Sequence, residues 1–180
     1  DSGTAISMAS HNDARGHVEA IGTLFTQLSL DSHHLPELIA CGIGPGPFTG
    51  LRVGIAFAQG LSAAWSVPVT GVCSLDAAAN LIIRETLVAP GSEFIAATDA
   101  RRKEYYWARF DSRGNRLSGP RVESIQTVTS LAADLSIPLI SGVLTHAIDI
   151  AARAERGDRH ELSPMYLREA DAQPSAPVSL

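Results

Sequence analysis

The sequence predicts an α/β protein built from two related units, and three observations carry this prediction. Short apolar segments of strand length alternate with longer segments whose apolar residues recur at helical spacing. In the first half a helix follows each strand, an order that requires parallel strands covered by helices. The second half opens instead with three strands in succession, and residues 89–92, which contain Pro and Gly, separate the two halves.

The first half alternates strands and helices without exception. One of its helices shows the periodic pattern most clearly, because its apolar residues lie on one face: Val18, Ile21, Leu24, Phe25 and Leu28. In chain order the predicted elements are strand 4–9, helix 16–30, strand 38–43, helix 49–65, strand 67–73 and helix 75–88.

The second half begins with a predicted antiparallel meander. Its strands are joined by a basic turn at residues 101–103 and by a polar loop at residues 111–115, both typical of hairpin connections. The predicted elements are strands 94–97, 105–110 and 122–125, then helix 128–135, strand 138–140 and helix 145–154. The order is therefore β-β-β-α-β-α.

The same order would describe the first half if opening strands were added to it. Each half also has an Asp at the end of a strand, Asp1 and Asp99. Duplicated units of this kind predict the ribonuclease-H-like architecture of the actin, Hsp70 and sugar-kinase group. We predict an N-terminal unit over residues 1–90, a C-terminal unit over residues 91–172 and a loose, Pro-rich tail over residues 173–180.

Three junctions in the sequence are abrupt. Residues 1–4 are typical of a turn after a strand, yet no strand precedes them. Strand 4–9 runs directly into polar residues 10–13 with no partner strand before the helix, and at residues 142–143 a strand and a helix meet with almost no connecting chain. We expect residues of the natural chain to be absent from the sequence at these places.

Composition and charge narrow the class of protein. Of the 180 residues 45% are hydrophobic and 18% charged, and the net charge of −5 argues against a protein that grips nucleic acid by itself. Cys41 and Cys73 each lie in an apolar strand, which favours buried free thiols over a disulfide. No apolar run reaches membrane-spanning length, so we expect a cytoplasmic protein that binds no membrane.

The turn between strand 38–43 and helix 49–65 is the most distinctive segment. Its Gly and Pro residues direct backbone N–H groups toward the helix entrance, as in a phosphate-binding loop. However, Leu51 and Arg52 replace the Lys-Ser/Thr of a Walker loop, and Pro47 and Thr49 stand where a dinucleotide fingerprint has its third Gly. The residues favour a structural turn in which Thr49 caps the helix.

The exact residue sequence of this turn supports a second interpretation. Four stretches together resemble the TsaB family, which is also called YeaZ and is related to the glycoproteases. They are GPGPFTGLRVG at residues 44–54, VPVTGVCSLDA at 67–77, ATDARRKEYYWAR at 97–109 and PMYLR at 164–168. The resemblance covers most of the chain, from about residue 17 to residue 171.

The resemblance implies a function. TsaB is a bacterial subunit of the machinery that makes threonylcarbamoyladenosine in tRNA. A TsaB-like chain is expected to be a non-catalytic scaffold that binds a TsaD-like paralogue, with a TsaE-like ATPase assisting. ATP and a metal would belong to those partner subunits, this chain would bind no cofactor, and tRNA would be contacted indirectly. A homodimer is expected when the chain is alone.

Helix 49–65 is the candidate partner interface. Large side chains recur every four residues, and small residues beside them form grooves suited to helix packing. The candidate interface residues are Val53, Gly54, Phe57, Gly60, Leu61, Ala64 and Trp65. The residues alone leave partner interface and internal burial equally open, and the resemblance favours the interface, because TsaB pairs with TsaD through helices of its first domain.

Catalytic and ligand-binding alternatives have weaker support. A metal-binding His pair one helical turn apart is absent, because His17 is followed four residues later by Ile21. A peptidase would need a nucleophile with a nearby base, yet no Gly-x-Ser-x-Gly elbow occurs and Ser74 suits a helix cap.

An ATP-dependent small-molecule kinase of the same superfamily is the main alternative function. In such kinases two strand turns face each other across a cleft and hold phosphate and metal. The candidate nucleotide or tRNA contacts are Asp1, Thr49, Asp99, Arg101, Arg102 and Lys103. For the three basic residues, a solvated hairpin end is the favoured reading.

Overall fold

The computed structural model describes residues 5, 7–10, 17–28 and 35–168, and all structural statements below concern these residues. They form five helices and six strands. The helices are α1 (His17–Gln27), α2 (Phe48–Trp65), α3 (Ser74–Arg84), α4 (Ile125–Leu135) and α5 (Ala147–Glu155). The strands are β1 (Ile39–Gly44), β2 (Val69–Cys73), β3 (Phe94–Asp99), β4 (Glu104–Phe110), β5 (Arg116–Ser124) and β6 (Leu139–Ser141).

The second half forms a four-stranded mixed sheet with the order β5-β4-β3-β6. Strands β3, β4 and β5 are an antiparallel meander, and β6 returns through α4 to pair parallel with β3. The polar strand β5 lies at the edge of the sheet, where one face of the strand and its unpaired edge are exposed to water. This topology is consistent with a ribonuclease-H-like unit and confirms the predicted fold class.

The described part of the first half holds a parallel pair, β1 and β2, between helices. A Cβ on Gly54 of α2 would lie 3.9 Å from Cys41 Sγ, so Cys41 faces α2. A Cβ on Gly42 would lie 3.5 Å from Ile150 Cδ1 of α5, so the opposite face of β1 meets α5. Alternation along the strand thus buries β1 between two helices.

Most predicted elements are confirmed within a few residues, and three boundaries are wrong. Residues 5 and 7–9 are not in a strand, although strand 4–9 was predicted there. Helix α3 ends at Arg84 because Thr86 has a left-handed φ of 54°. Strand β5 begins at Arg116, well before the predicted residue 122, because an edge strand tolerates polar residues.

The two halves share one apolar core. Cys73, Leu75, Ala79 and Ile82 of the first half pack with buried side chains of the second half: Phe94, Ala96, Ala108 and Phe110. The Phe94 and Phe110 rings stack with centroids 5.6 Å apart. Burial of eight such residues at one junction ties the sheet of the second half to α3. The division of the chain at residues 90–91 stays a prediction.

None of the helices in the described ranges combines the length and apolar character needed to cross a bilayer.

Candidate functional site

Three stretches that carry the family resemblance meet at one surface. The Met165 N–H donates to the Ile43 carbonyl at 2.7 Å, which joins segment 164–168 to the end of β1. The Arg168 guanidinium pairs with the Glu104 carboxylate, which joins the same segment to the start of β4. Segment 164–168 therefore bridges the β1–α2 turn and the β3–β4 turn, although these lie far apart in sequence.

Gly44 makes the approach of this segment feasible. Its φ is +108°, a conformation that side chains rarely adopt. A Cβ at this position would lie 2.9 Å from Leu51 Cδ1 and 3.1 Å from the Met165 carbonyl oxygen. Glycine is thus required both for the turn and for the close contact between the turn and segment 164–168.

The predicted cap of helix α2 is wrong. The N-cap is Pro47, with φ −60° and ψ 127°, and no side chain caps the helix. Thr49 lies one residue inside the first turn with its side chain exposed. The fixed φ of proline sets the entry of the chain into the helix, so a capping hydroxyl is not needed at residue 49. The first turn contains no acidic residue.

An exposed aromatic–cation cluster lies at the start of α2. The rings of Phe48 and Tyr166 stack with centroids 4.8 Å apart, and each residue is about two-fifths exposed, at 42% and 41%. Arg52 Cζ lies 3.9 Å from the Phe48 centroid, and Arg52 Nε donates to the Tyr166 hydroxyl at 2.9 Å. Among the described residues no carboxylate pairs with Arg52. The sequence alone did not mark Arg52 as a candidate binding residue.

The basic turn between β3 and β4 is exposed and unusual in its backbone. Arg101, Arg102 and Lys103 have φ values of 64°, 55° and 61°, so three consecutive residues with side chains are left-handed. Asp99 holds this conformation, because its Oδ1 accepts the Arg101 N–H at 2.8 Å and its Oδ2 lies 3.5 Å from Arg101 Nη1. Asp1, the predicted counterpart of Asp99, lies outside the described residues.

The ridge of large side chains on α2 is only partly covered. We call Val53, Phe57, Leu61 and Trp65 the α2 ridge, and all four are half-buried. Phe25 of α1 contacts Phe57 at a centroid distance of 5.4 Å and Trp65 at 5.9 Å. Part of the ridge thus packs within the chain, and its role as a partner interface stays a prediction.

The small residues predicted to flank the ridge divide into two groups. Gly54 faces Cys41 and belongs to the interior. Gly60 and Ala64 are exposed, and a Cβ built on Gly60 would meet nothing within 4 Å. Of the small interface candidates, only these two are accessible to a partner.

A buried ionic network links α3, α5 and β5, and our reading of the sequence missed it. Asp149 is 0% exposed, and its carboxylate accepts hydrogen bonds from Asn80 at 2.8 Å and Arg84 at 3.3 Å. Arg153, 3% exposed, donates to the Gly114 carbonyl at 2.9 Å. A signal was present, because polar residues recur one turn apart on both helices.

Asp76 is the least satisfied member of this network. It is 2% exposed, and its Oδ1 lies 3.4 Å from Arg116 Nη1 without accepting a hydrogen bond. Burial raises the pKa of the Asp76 carboxyl, and the nearby charges of Arg116 and Arg153 oppose that rise without cancelling it. Burial likewise lowers the pKa of the Arg153 guanidinium.

Both cysteines are free thiols, as predicted, but only Cys73 is buried and Cys41 is half-buried. Burial raises the pKa of the Cys41 thiol to about 11, so it is protonated at neutral pH. Burial, followed by the charge of Asp76, raises the pKa of Cys73. Neither thiol is activated as a nucleophile.

Two observations bear on the metal and peptidase alternatives, which the sequence did not favour, and one of them shows that the predicted capping role of Ser74 is wrong. These residues contain no group of three or more His, Cys, Asp or Glu side chains that could hold a metal ion. Ser74 is the first residue of α3 rather than its cap, since the N-cap is Cys73 without a side-chain hydrogen bond.

Comparison with known proteins identifies the family. A family model described as "TsaD: tRNA N6-adenosine threonylcarbamoyltransferase" matches residues 7–167. The tRNA threonylcarbamoyladenosine biosynthesis protein TsaB of Escherichia coli is 38% identical over 88 residues, 48% of this chain and 37% of that protein. The chain belongs to the TsaD family and is TsaB/YeaZ-like.

Two further matches cover most of the chain, and one of them is a YeaZ structure. An uncharacterised Mycobacterium tuberculosis protein is 35% identical over 185 residues, covering 91% of this chain and 81% of that protein. The structure of YeaZ from Pseudomonas aeruginosa superimposes with a TM-score of 0.65 at 26% identity, covering 87% of this chain and 88% of that one. The shared fold extends over both halves of the TsaB/YeaZ-like chain.

Proposed function

We propose that this chain is a non-catalytic scaffold subunit in the formation of threonylcarbamoyladenosine in tRNA. In this role it binds a TsaD-like catalytic paralogue and supports transfer of the threonylcarbamoyl group. The names of its TsaB relatives and of its family model support the pathway. The scaffold role is our own inference, and the exposed face of α2 is the observation that carries it.

This face is made of small side chains next to the α2 ridge. Positions one turn apart are exposed along the helix: Ala56, Gly60, Ala63 and Ala64. Small residues at this spacing allow the axis of a second helix to approach closely, and the half-buried ridge beside them offers apolar area. A helix of a related protein, with a similar ridge, would fill the grooves.

The other subunits follow from this proposal. ATP and a metal ion would be held by the TsaD-like paralogue and a TsaE-like ATPase, and tRNA would reach this chain through the complex. Without the paralogue, α2 of a second copy would occupy the same face and give a homodimer.

Co-purification from the source cell tests the proposal. A tagged chain should retain the TsaD-like paralogue, and depletion of the chain should lower the threonylcarbamoyladenosine content of tRNA. Absence of the paralogue from the purified material, together with unchanged tRNA modification after depletion, would contradict it.

A further inference from the structure

The aromatic–cation cluster Phe48, Arg52 and Tyr166 has the composition of a nucleotide-binding surface. Unpaired nucleotides are recognised by stacking of the base on aromatic rings or guanidinium planes and by cationic groups near the phosphate. Both kinds of group are present here within 6 Å of one another, since Arg52 Cζ lies 5.9 Å from the Tyr166 centroid. None of these residues belongs to the exposed small-residue face of α2 on which the scaffold proposal rests.

The geometry of the cluster leaves ring surface open to a ligand. If Arg52 and Tyr166 lay on opposite faces of Phe48, the distance from Arg52 to the Tyr166 ring would approach the sum of the other two distances. The observed distances of 3.9 Å, 4.8 Å and 5.9 Å instead form a compact triangle. The exposures of 42% for Phe48 and 41% for Tyr166 agree with this arrangement.

The electrostatics of the cluster favour an anion. Arg52 uses Nε to bond the Tyr166 hydroxyl, and no carboxylate in the described part of the chain neutralises it. The cluster lies at the N-terminus of the 18-residue helix α2, whose dipole places partial positive charge there. No acidic residue in the first turn offsets that charge, on a protein whose net charge is −5.

We propose that Phe48, Arg52 and Tyr166 bind an unpaired nucleotide, with the base stacked on the aromatic rings and the phosphate on the Arg52 guanidinium. This inference rests on the proposed function, under which the nucleotide belongs to the tRNA that the complex modifies. A free nucleotide offers the same chemistry. Thr49, the residue after Phe48, is also exposed.

Fluorescence anisotropy of the full chain with a short labelled single-stranded RNA tests this proposal. We expect tighter binding to the single strand than to the duplex of the same sequence. Arg52→Ala should weaken binding about 5-fold or more and reduce the slope against log salt concentration by about 0.7. Phe48→Ala should weaken binding by about 5-fold or more with no change in slope, because stacking releases no counterion.

Conservative variants separate a binding role from a structural one. Arg52→Lys should keep the salt slope and lose affinity, because a lysine cannot present a planar guanidinium. Tyr166→Phe should keep the stacking of the base, because the aromatic ring is retained. Arg113→Ala removes the same charge in the loop at the far end of β4 and should leave both affinity and slope unchanged.

The outcomes distinguish the sources and the competing interpretations. If ATP displaces the RNA in an Arg52-dependent way, and its affinity per phosphate group equals that of the RNA, the ligand is a free nucleotide. RNA and ATP binding that are absent, or indifferent to Arg52 and Phe48, overturn the proposal. If these variants instead lose the TsaD-like paralogue in co-purification, the cluster is a protein contact. If the Arg52 and Phe48 variants lose RNA binding and still form the hetero-complex, the result supports the cluster proposal and does not contradict the scaffold proposal.

Discussion

At the scale of single residues, Gly44 meets a steric requirement that also holds the candidate site together. Its backbone has φ +108°, and the side chain of Leu51 and the carbonyl of Met165 occupy the space a Cβ would need. Gly60 has neither constraint, because it lies in a helix and a Cβ there would have open space around it. The two glycines therefore form a matched pair for mutation.

We expect Gly44→Ala to lower the free energy of unfolding by roughly 2 kcal/mol or more, through backbone strain and displacement of segment 164–168. Gly60→Ala should raise it by about 1 kcal/mol, because alanine has the higher helix propensity. Urea denaturation measures both. A Gly44→Ala variant as stable as the unmodified chain would show that the turn relaxes without cost.

At the scale of secondary-structure elements, α2 carries two functions in our account. Its N-terminal turn presents the aromatic–cation cluster, and its outer face presents the small residues around Gly60. The exposed position of Gly60 makes it a suitable site for a charge, since a glutamate there meets nothing within the chain.

Gly60→Glu should fold normally and lose both the homodimer and the complex with the TsaD-like paralogue. An unpaired carboxylate in a packed helix contact costs on the order of several kcal/mol. Size-exclusion chromatography with light scattering, alone and with the paralogue, measures the effect. Ala133→Glu places the same charge on the exposed side of α4 and should leave both assemblies intact. If Gly60→Glu forms both assemblies, the interface lies elsewhere.

The β3–β4 turn is the second element with a testable role. Replacing Arg101, Arg102 and Lys103 by glutamine should weaken tRNA binding by the assembled complex and flatten its salt dependence, if the turn contacts phosphate. The melting temperature should change little, because the three side chains are exposed. Salt titrations of tRNA affinity decide the question. An unchanged affinity and slope would identify the turn as a solvated hairpin end.

At the scale of the whole molecule, the buried ionic network joins the two halves around Asp76. The pKa of Asp76 is raised in the folded state, so the stability it contributes is present below its unfolded pKa of about 3.9 and is lost as pH rises through the folded pKa. The neighbouring Arg116 and Arg153 reduce this loss.

We therefore expect the stability of Asp76→Asn, relative to the unmodified chain, to increase as pH rises from about 4 toward neutrality. Asparagine has no charge to desolvate, which is the physical reason for the change. Urea denaturation at a series of pH values measures it, and Gly60→Ala, which removes no titratable group, should parallel the unmodified chain. A relative stability that falls with rising pH would mean that attraction to Arg116 and Arg153 outweighs burial.

Catalysis is also a property of the whole molecule. We expect the purified chain neither to hydrolyse ATP nor to cleave proteins, since the scaffold proposal assigns chemistry to the paralogue. A thermal shift with Mg-ATP examines the kinase alternative, because a ligand at 100 times its Kd stabilises by about 2.7 kcal/mol. Turnover that survives repurification and disappears in a point mutant of this chain would defeat the scaffold proposal.

The sequence predicted the elements well and the site only in part. Periodic apolar residues located α2 and the β3–β4 hairpin within one or two residues, because burial of one face constrains local sequence directly. The predicted Thr49 cap was wrong, because proline and threonine, here two positions apart at residues 47 and 49, can both begin a helix. The buried ionic network was missed, because its partners lie on α3, β5 and α5.

By itself the sequence determined the family, the α/β class and the order of the elements, since each depends on local pattern or on contiguous motifs. Only the tertiary structure decided that Phe48 and Arg52 meet Tyr166, that Phe25 covers part of the α2 ridge, and that Asp76 is buried. These contacts join residues tens of positions apart. Their energies depend on distance and desolvation, which no local pattern specifies.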